Sequence, residues 1–432
     1  MYAMPAREVQ SGGQTSDVYD DGKSQESSSD LLINNLTYVQ PQALSLAVAR
    51  SYNRLFFQQR TYNDGDTAVM DVNSGTTFND TGNAYLTFSV GLKASSGTPT
   101  AGWGSASAMN VIKSITIKSR SGIEIDRLDH ANVWSAFNTA YTNTNAYLTR
   151  QGPIEGWGSA VTDLSGTPKR YVIPLKRIAP FFSPIKRGLK VPPQIMSGLQ
   201  LEIVFEDFRV ALLSTVAAGS ASITGYTISN LAIMTDSITM TDDVQKTINE
   251  QSAAGGLAYA FKRVFTAIDA VNSATSINTQ IRKAVTQANI AWAVSLFNGA
   301  VIILDSYVTP SWDVTEFQYR LGSLYFPLQS IKDSTLDGVE AYTQALMVFD
   351  KLKHPEVESS VSYADFKTGG RAIMAVSLEK DTALNISGLP TNNSRVLELL
   401  ATTSGVGGRN VYVFMEYSAV YRAYIDNGAL SI

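Results

Sequence analysis

The chain contains no cysteine and only two histidines, His130 and His354. The first absence excludes disulfides, thiolate metal sites and cysteine nucleophiles. The second rules out a histidine-rich metal site within one chain. Charge is also scarce: 17% of the 432 residues are Asp, Glu, Lys or Arg, against about 25% in an ordinary globular chain. The balance is slightly acidic, with a formal net charge of −4, which argues against a general nucleic-acid binder and its basic footprint. No apolar run approaches the roughly 18 residues that span a bilayer. The N-terminal "MYAMPAREVQSGGQTSDVYDDGKSQESSSD" lacks the basic start and apolar stretch of a secretory signal. The expectation is a protein made in the cytosol that is soluble or self-assembling, with few charges because neighbours cover much of its surface.

What is present is period-two alternation, the mark of a strand with one buried face. It runs through "AYLTFSVGL" (84–92), "SITIKS" (114–119), "LQLEIVFEDF" (199–208) and "YTISNLAIMTDSITM" (226–240). In the last, two alternating runs are expected to meet near Asp236. A second set follows: 291–297, 300–308, 316–326, 371–379, 395–403 and 411–425. Helical signals are fewer. Residues 43–57 fit either helix or strand. Val133, Phe137 and Tyr141 at i, i+4 and i+8 predict a short amphipathic helix in 131–148. "DVQKTINEQ" (243–251) has acids suited to a first helical turn and leads to Gly255-Gly256, the best start for an interdomain break. Residues 1–30 are too polar to bury a core of their own. The sequence thus divides into an N-terminal arm (1–30), a first strand-rich domain (31–250) and a second (251–432). Strands do not alternate with helices of 10–15 residues, so two β-sandwiches or jelly rolls fit better than an α/β enzyme. Stretches 60–82 and 93–109, rich in Gly, Ser, Thr and Asn, are expected as exposed loops of the first domain.

Candidate chemistry is thin. Carboxylates pair at Asp20-Asp21, Asp242-Asp243 and Asp126/Asp129, but a glycosidase needs two that converge across a sugar. His130 beside Asp126 and Asp129 suggests a metal site or a general base; the plainer reading is a half-exposed histidine after a hairpin. "GVGGRN" (405–410) lacks the Lys-Ser or Lys-Thr of a phosphate loop and is expected as a hairpin turn. The most biased segment is "KRYVIPLKRIAPFFSPIKRGLKVPP" (169–193), with seven basic residues and no acid. It reads either as a solvated loop or as a contact surface for an acidic neighbour, nucleic acid or lipid headgroups.

Five segments then resemble, in order, parts of one family. "VIKSITIKSRSGIEIDRLDHANVW" (111–134) resembles the strand–turn–Ile-Asp segment in the first barrel of double-jelly-roll major capsid proteins. "YVIPLKRIAPFFSPIKRGLKVPPQIMSGLQLEIVFED" (171–207) is similar to the Ile-Pro-Leu strand, proline-bearing loop and following strand of that barrel. "ISNLAIMTDSITMTDDVQKTINEQ" (228–251) resembles its last strand and exit into the linker. "ISGLPTNNSRVLELL" (386–400) resembles a turn of the second barrel, and 411–432 its closing strand and tail. The hairpin has Ser121-Gly122 where many relatives have two glycines.

The resemblance implies an all-β fold: two consecutive eight-stranded jelly-roll barrels with short helices in loops and linker. It implies no enzyme, no cofactor, no metal and no specific nucleic-acid site. It implies a homotrimer of nearly hexagonal outline that meets neighbouring capsomers, penton proteins and minor capsid or cement proteins in an icosahedral virion, with room for an internal membrane beneath. The relatives nearest in length belong to small double-stranded DNA viruses. The residues expected to serve structure and assembly are Asp126, Arg127, Trp134, Lys176, Arg177, Lys186, Arg187 and Arg395. The competing readings are a β-sandwich carbohydrate-binding, spike or adhesin protein and, last, a glycan-cleaving enzyme that would need an essential pair of acids.

Overall fold

The computed structural model describes residues 47–185, 189–214, 223–271, 275–297, 305–352, 358–380, 388–392, 395–405, 408–423 and 428–431. Its strands form four antiparallel sheets. The first is ordered β1-β9-β4-β7, from Ala47–Phe56, Ile223–Met240, Phe78–Ala94 and Lys169–Pro174, with β2 (Thr61–Asn63) also paired to β9. The second is ordered β3-β8-β5-β6, from Thr67–Asp71, Gln200–Phe205, Ile112–Lys118 and Glu124–Asp129.

The same itinerary then repeats. β10 (Leu257–Val271), β17 (Arg409–Ala423), β12 (Ala288–Phe297) and β15 (Met374–Ser377) lie side by side in that order, with β18 (Gly428–Ser431) paired to β17. β11 (Ser276–Ile281), β16 (Leu397–Thr403), β13 (Val314–Leu321) and β14 (Leu324–Lys332) form the facing sheet. Each half therefore carries eight strands in two four-stranded paths, the jelly-roll arrangement, and one short strand beside them, β2 or β18. Four helices matter below: α1 (Ala131–Thr142), α2 (Asn145–Arg150), α3 (Asp242–Gly255) and α4 (Val339–Val348). Among the described residues no helix is long and apolar enough to cross a membrane.

The cores follow from the alternation. Leu86, Phe88, Val90 and Leu92 of β4 turn inward with Ile115 and Ile117 of β5 and Leu201, Ile203 and Phe205 of β8. In the second barrel Phe317, Tyr319 and Leu321 meet Leu397 and Leu399, and Val411, Val413 and Met415. Such burial is worth roughly 1.5–3 kcal/mol per large side chain.

Several expectations need correction. Residues 47–56 are a strand whose side chains are mostly exposed, held by backbone pairing to β9; with little buried face, their periodicity could not decide. β9 is one 18-residue strand. Its phase changes at Asn230, not near Asp236: Asn230 has φ 55°, and the pairing with β4 slips between Thr87 and Ser89 there, a bulge that inserts one residue. Residues 316–326 are not one strand but parts of two, turning at Gly322-Ser323. Residues 305–308 are not strand, and 298–304 fall outside the described residues. The 405–410 segment is not a hairpin turn: it joins β16 to β17, which belong to different sheets.

Two stretches expected as exposed loops are so only in part. Residues 60–82 contain β2, β3 and the start of β4. In 93–109, residues 94–98 are exposed as expected, whereas Ala101, Trp103, Ala106, Ala108 and Met109 are buried. In that second part small residues permit close packing: a Cβ on Gly102 would meet the Ala160 carbonyl oxygen at 2.3 Å. α1 is not amphipathic, because ten of its twelve residues are buried.

Candidate functional site

The polar groups singled out in 111–134 lie at the seam between the barrels. β5 and β6 form a hairpin whose turn places Gly122 at φ 81°. The Cβ of an L-residue disfavours that conformation, so glycine suits it. β6 delivers Asp126 into the seam, where the carboxylate is buried. Phe181 N–H donates to its Oδ2 at 3.1 Å. The Arg263 guanidinium of β10 lies 3.4 Å from its Oδ1 and 3.6 Å from Glu124, and stands 5.8 Å over the Tyr417 ring. Burial outweighs the arginine and the backbone donor and pushes the Asp126 pKa up to about 6.

Other bonds stitch the same seam. Thr266 of β10 donates to the Asp129 carbonyl at 2.8 Å, and Tyr259 donates to the Phe181 carbonyl at 2.5 Å. From α1, Trp134 reaches Glu416 of β17 at 3.4 Å. Asn132 donates to Glu206 and to Tyr307, both at 3.0 Å. Tyr141 donates to the Arg371 carbonyl at 2.7 Å and stacks on Phe349, with ring centroids 5.1 Å apart. Phe349 in turn meets Trp292, which packs on Phe414 at 4.4 Å. α1 thus covers a face of the second barrel's sheet, which is why it is buried nearly all round.

The remaining expected residues divide sharply. Arg127 is exposed and pairs with Asp129 at 3.0 Å. Lys176 is exposed. Arg177, its neighbour, is enclosed: it donates to Glu155 at 2.5 Å and Asn143 at 3.0 Å and lies 4.7 Å over the Tyr147 ring. Arg177 is therefore not part of a basic outer surface. Arg395 is exposed. Lys186, Arg187 and His354 lie outside the described residues. The 169–193 segment is not a plain loop: it supplies β7 and buries Phe181 and Phe182. Lys169 pairs with Asp163 and Lys190 with Asp80.

Among the described residues the catalytic readings find no geometry; Asp20 and Asp21 lie outside them. Asp126 faces Arg263 while Asp129 faces Arg127, so the two carboxylates do not converge. Asp242 and Asp243 occupy the first turn of α3. His130 precedes α1 in a left-handed conformation, φ 54°. Its ring sits 5.2 Å from Tyr412, and burial lowers its pKa. Among the described residues no three His, Asp or Glu side chains gather as a metal site.

Sequence reasoning missed Arg263, Glu416, Asn132 and Tyr259. A signal did exist in "VYVFMEY" (411–417), where Phe414 breaks the alternation. An apolar residue on the outer phase marks a strand covered on both faces.

Comparison with solved structures finds the same fold along nearly the whole chain. The PBCV-1 virus capsid protein matches at 13% identity with a TM-score of 0.62, over 92% of this chain and 100% of that one. The Faustovirus major capsid protein matches at 8% identity and TM-score 0.60, over 94% of each chain. A chain of the Sputnik virophage structure matches at 10% identity and TM-score 0.58, over 92% of this chain and 93% of that one. No protein-family model matches the sequence, and comparison with curated proteins gives no match.

Proposed function

We propose that the chain is a viral major capsid protein, built to assemble rather than to catalyse. The observation that carries this is the tandem of two complete eight-stranded barrels, shared over 94% of both chains with the Faustovirus major capsid protein. Three chains form a block of nearly hexagonal outline that tiles an icosahedral shell of a small double-stranded DNA virus. The chain is synthesised in the host cytoplasm and ends in the virion.

In this reading the division is an arm (1–30), a first jelly roll (31–250) and a second (251–432). The arm orders at the trimer base or between capsomers. Asp126, Trp134 and Arg177 hold the interior and the seam. Arg127, Lys176, Lys186, Arg187 and Arg395 serve contacts with neighbouring capsomers, penton proteins, minor capsid proteins or an underlying membrane.

The solution mass and negative-stain images of the purified protein test the proposal. A compact three-chain block is expected, and a chain that stays monomeric at every concentration contradicts it. Deleting residues 1–25 should leave the blocks but impair shells; normal particles from that deletion would refute the arm's role. Reversing charge at Lys186 and Arg187 should change the salt response of assembly, and an unchanged response removes them from the contact.

A further inference from the structure

The connections β4–β5 (95–111) and β6–β7 (130–168) leave the same end of the first barrel, because the C-terminal half of β4 pairs with the start of β7, Val90 opposite Lys169. There they meet the β14–β15 connection (333–373) of the second barrel. The Ser360 amide donates to the Asn143 carbonyl at 2.7 Å, and its hydroxyl to the Ala140 carbonyl at 2.6 Å. The Ser105 amide donates to Asp305 at 2.6 Å. Between these bonds lies a cleft of about 520 Å³, within the size range of small-ligand sites. Exposed Asn145, Thr149, Pro153 and Gly369 edge it, and Trp157 and Arg371 stand deeper.

The cleft brings together two groups that the chain leaves unsatisfied. Trp157 is only 6% exposed, yet its indole N–H has no hydrogen-bond partner among the described residues. The same holds for the enclosed Nη1 of Arg371, whose guanidinium lies 5.4 Å over the Phe137 ring. Other enclosed arginines each meet a carboxylate: Arg177 meets Glu155, Arg263 meets Asp126 and Arg409 meets Asp313. A buried polar group left without a partner costs roughly 1–3 kcal/mol. Two such donors on one cleft point to a ligand that supplies acceptors.

The charge of that ligand follows from the acids nearby. Asp305 and Asp365 both act electrostatically on Arg371. Asp365 lines the cleft, and Asp305 stands beside Gly104, where a Cβ would meet its Oδ2 at 2.5 Å. Two carboxylates outnumber one guanidinium and disfavour an anion. Oδ2 of Asp365 accepts from the Ser362 amide and hydroxyl at 3.0 and 2.6 Å. Its Oδ1 lies toward Gly369 on the rim, where a Cβ would meet it at 3.0 Å. The group that accepts from Trp157 and Arg371 and also donates to Asp365 is a hydroxyl. Leu148 and Pro153 add the apolar wall that the C–H face of a sugar ring needs. We infer that the cleft binds a neutral saccharide, with Trp157 and Arg371 donating to its oxygens and Asp365 accepting from one of its hydroxyls. This adds a ligand to an assembling chain and is independent of whether copies associate.

Saturation-transfer NMR on the full-length protein tests it. The probes are neutral oligosaccharides of hexoses and N-acetylhexosamines, with sialylated and sulfated oligosaccharides as the charged arm. Binding of a neutral oligosaccharide at millimolar concentration or below is expected. Thr149→Trp fills the mouth from an exposed position and should abolish binding with unchanged melting. Trp157→Phe keeps the ring and removes the N–H, and should weaken binding about threefold to tenfold, the worth of one hydrogen bond. Arg371→Met should weaken it about tenfold or more, since the lost donor is charged. Absence of neutral-saccharide binding at millimolar concentration would overturn the proposal. So would binding confined to the charged oligosaccharides, or binding unchanged in any of the three variants. None of these outcomes bears on self-association, which sedimentation of the same samples reads separately.

Discussion

At the scale of single residues, Asp126 and Arg177 show how similar ionic groups carry opposite consequences. Asp126 is held above its unfolded pKa, at about 6, chiefly by burial. A carboxyl whose folded pKa is raised contributes stability that is fully present below about pH 4 and is lost as pH rises through 6. Two pKa units correspond to about 3 kcal/mol. Asp126→Asn, which cannot ionise, should therefore gain stability relative to wild type between pH 4 and pH 7. Denaturant midpoints of the two proteins across that range check this, and a difference constant with pH contradicts it. Arg177 is the reverse case, because Glu155 is buried against it and Tyr147 donates to the same carboxylate at 2.6 Å. Arg177→Met leaves that carboxylate buried without its counter-charge, with only the Tyr147 hydroxyl beside it, an expected loss of about 3–5 kcal/mol. Arg177→Lys should lose less, since it keeps the charge while giving up the fork and the planar contact with Tyr147. Equal losses from the two variants would show that the charge is immaterial.

At the scale of elements, the β5–β6 hairpin and α1 act as one device. The turn needs a residue at φ 81°, and a Cβ on Gly122 would meet nothing within 4 Å. Gly122→Ala should therefore cost only the backbone penalty, about 1–2 kcal/mol, read as a small shift in the unfolding midpoint. Trp134 lies deeper in the same device: it is buried and reaches across to Glu416. Trp134→Ala should cost about 3–5 kcal/mol, the range for removing a large buried side chain. Chemical denaturation distinguishes the two, and a Trp134→Ala loss no larger than that of Gly122→Ala would mean α1 is not an anchor. The strands themselves were legible from alternation because their inner faces are apolar. The α1 face pattern misled, because burial against a second barrel hides the polar side of a helix as well.

At the scale of the whole molecule, the seam makes one body of two similar halves. It combines a buried ion pair, hydrogen bonds such as Thr266 to Asp129, and the aromatic run Tyr141, Phe349, Trp292 and Phe414. The barrels should therefore unfold in a single calorimetric transition. Two resolved transitions in the wild-type chain would mean the seam does not couple them. Combining Trp134→Ala with Arg263→Met should separate the transitions, since both strike the seam and spare the barrel cores.

The sequence by itself determined the fold class, most strands, the hairpin turn and the lack of cysteine chemistry. All of these depend on local periodicity, turn chemistry or composition, which a chain displays residue by residue. Five short segments in order also carried the double-barrel resemblance. The tertiary structure alone decided which strands share a sheet, that 405–410 crosses between sheets, and that Asn230 shifts the phase of β9. It alone separated Arg177 from Lys176, one enclosed by Glu155 and the other open to solvent. It also set Asp126 against Arg263, 137 positions along the chain. The physical reason is the same in each case: burial and ion pairing depend on what the rest of the chain brings to a residue.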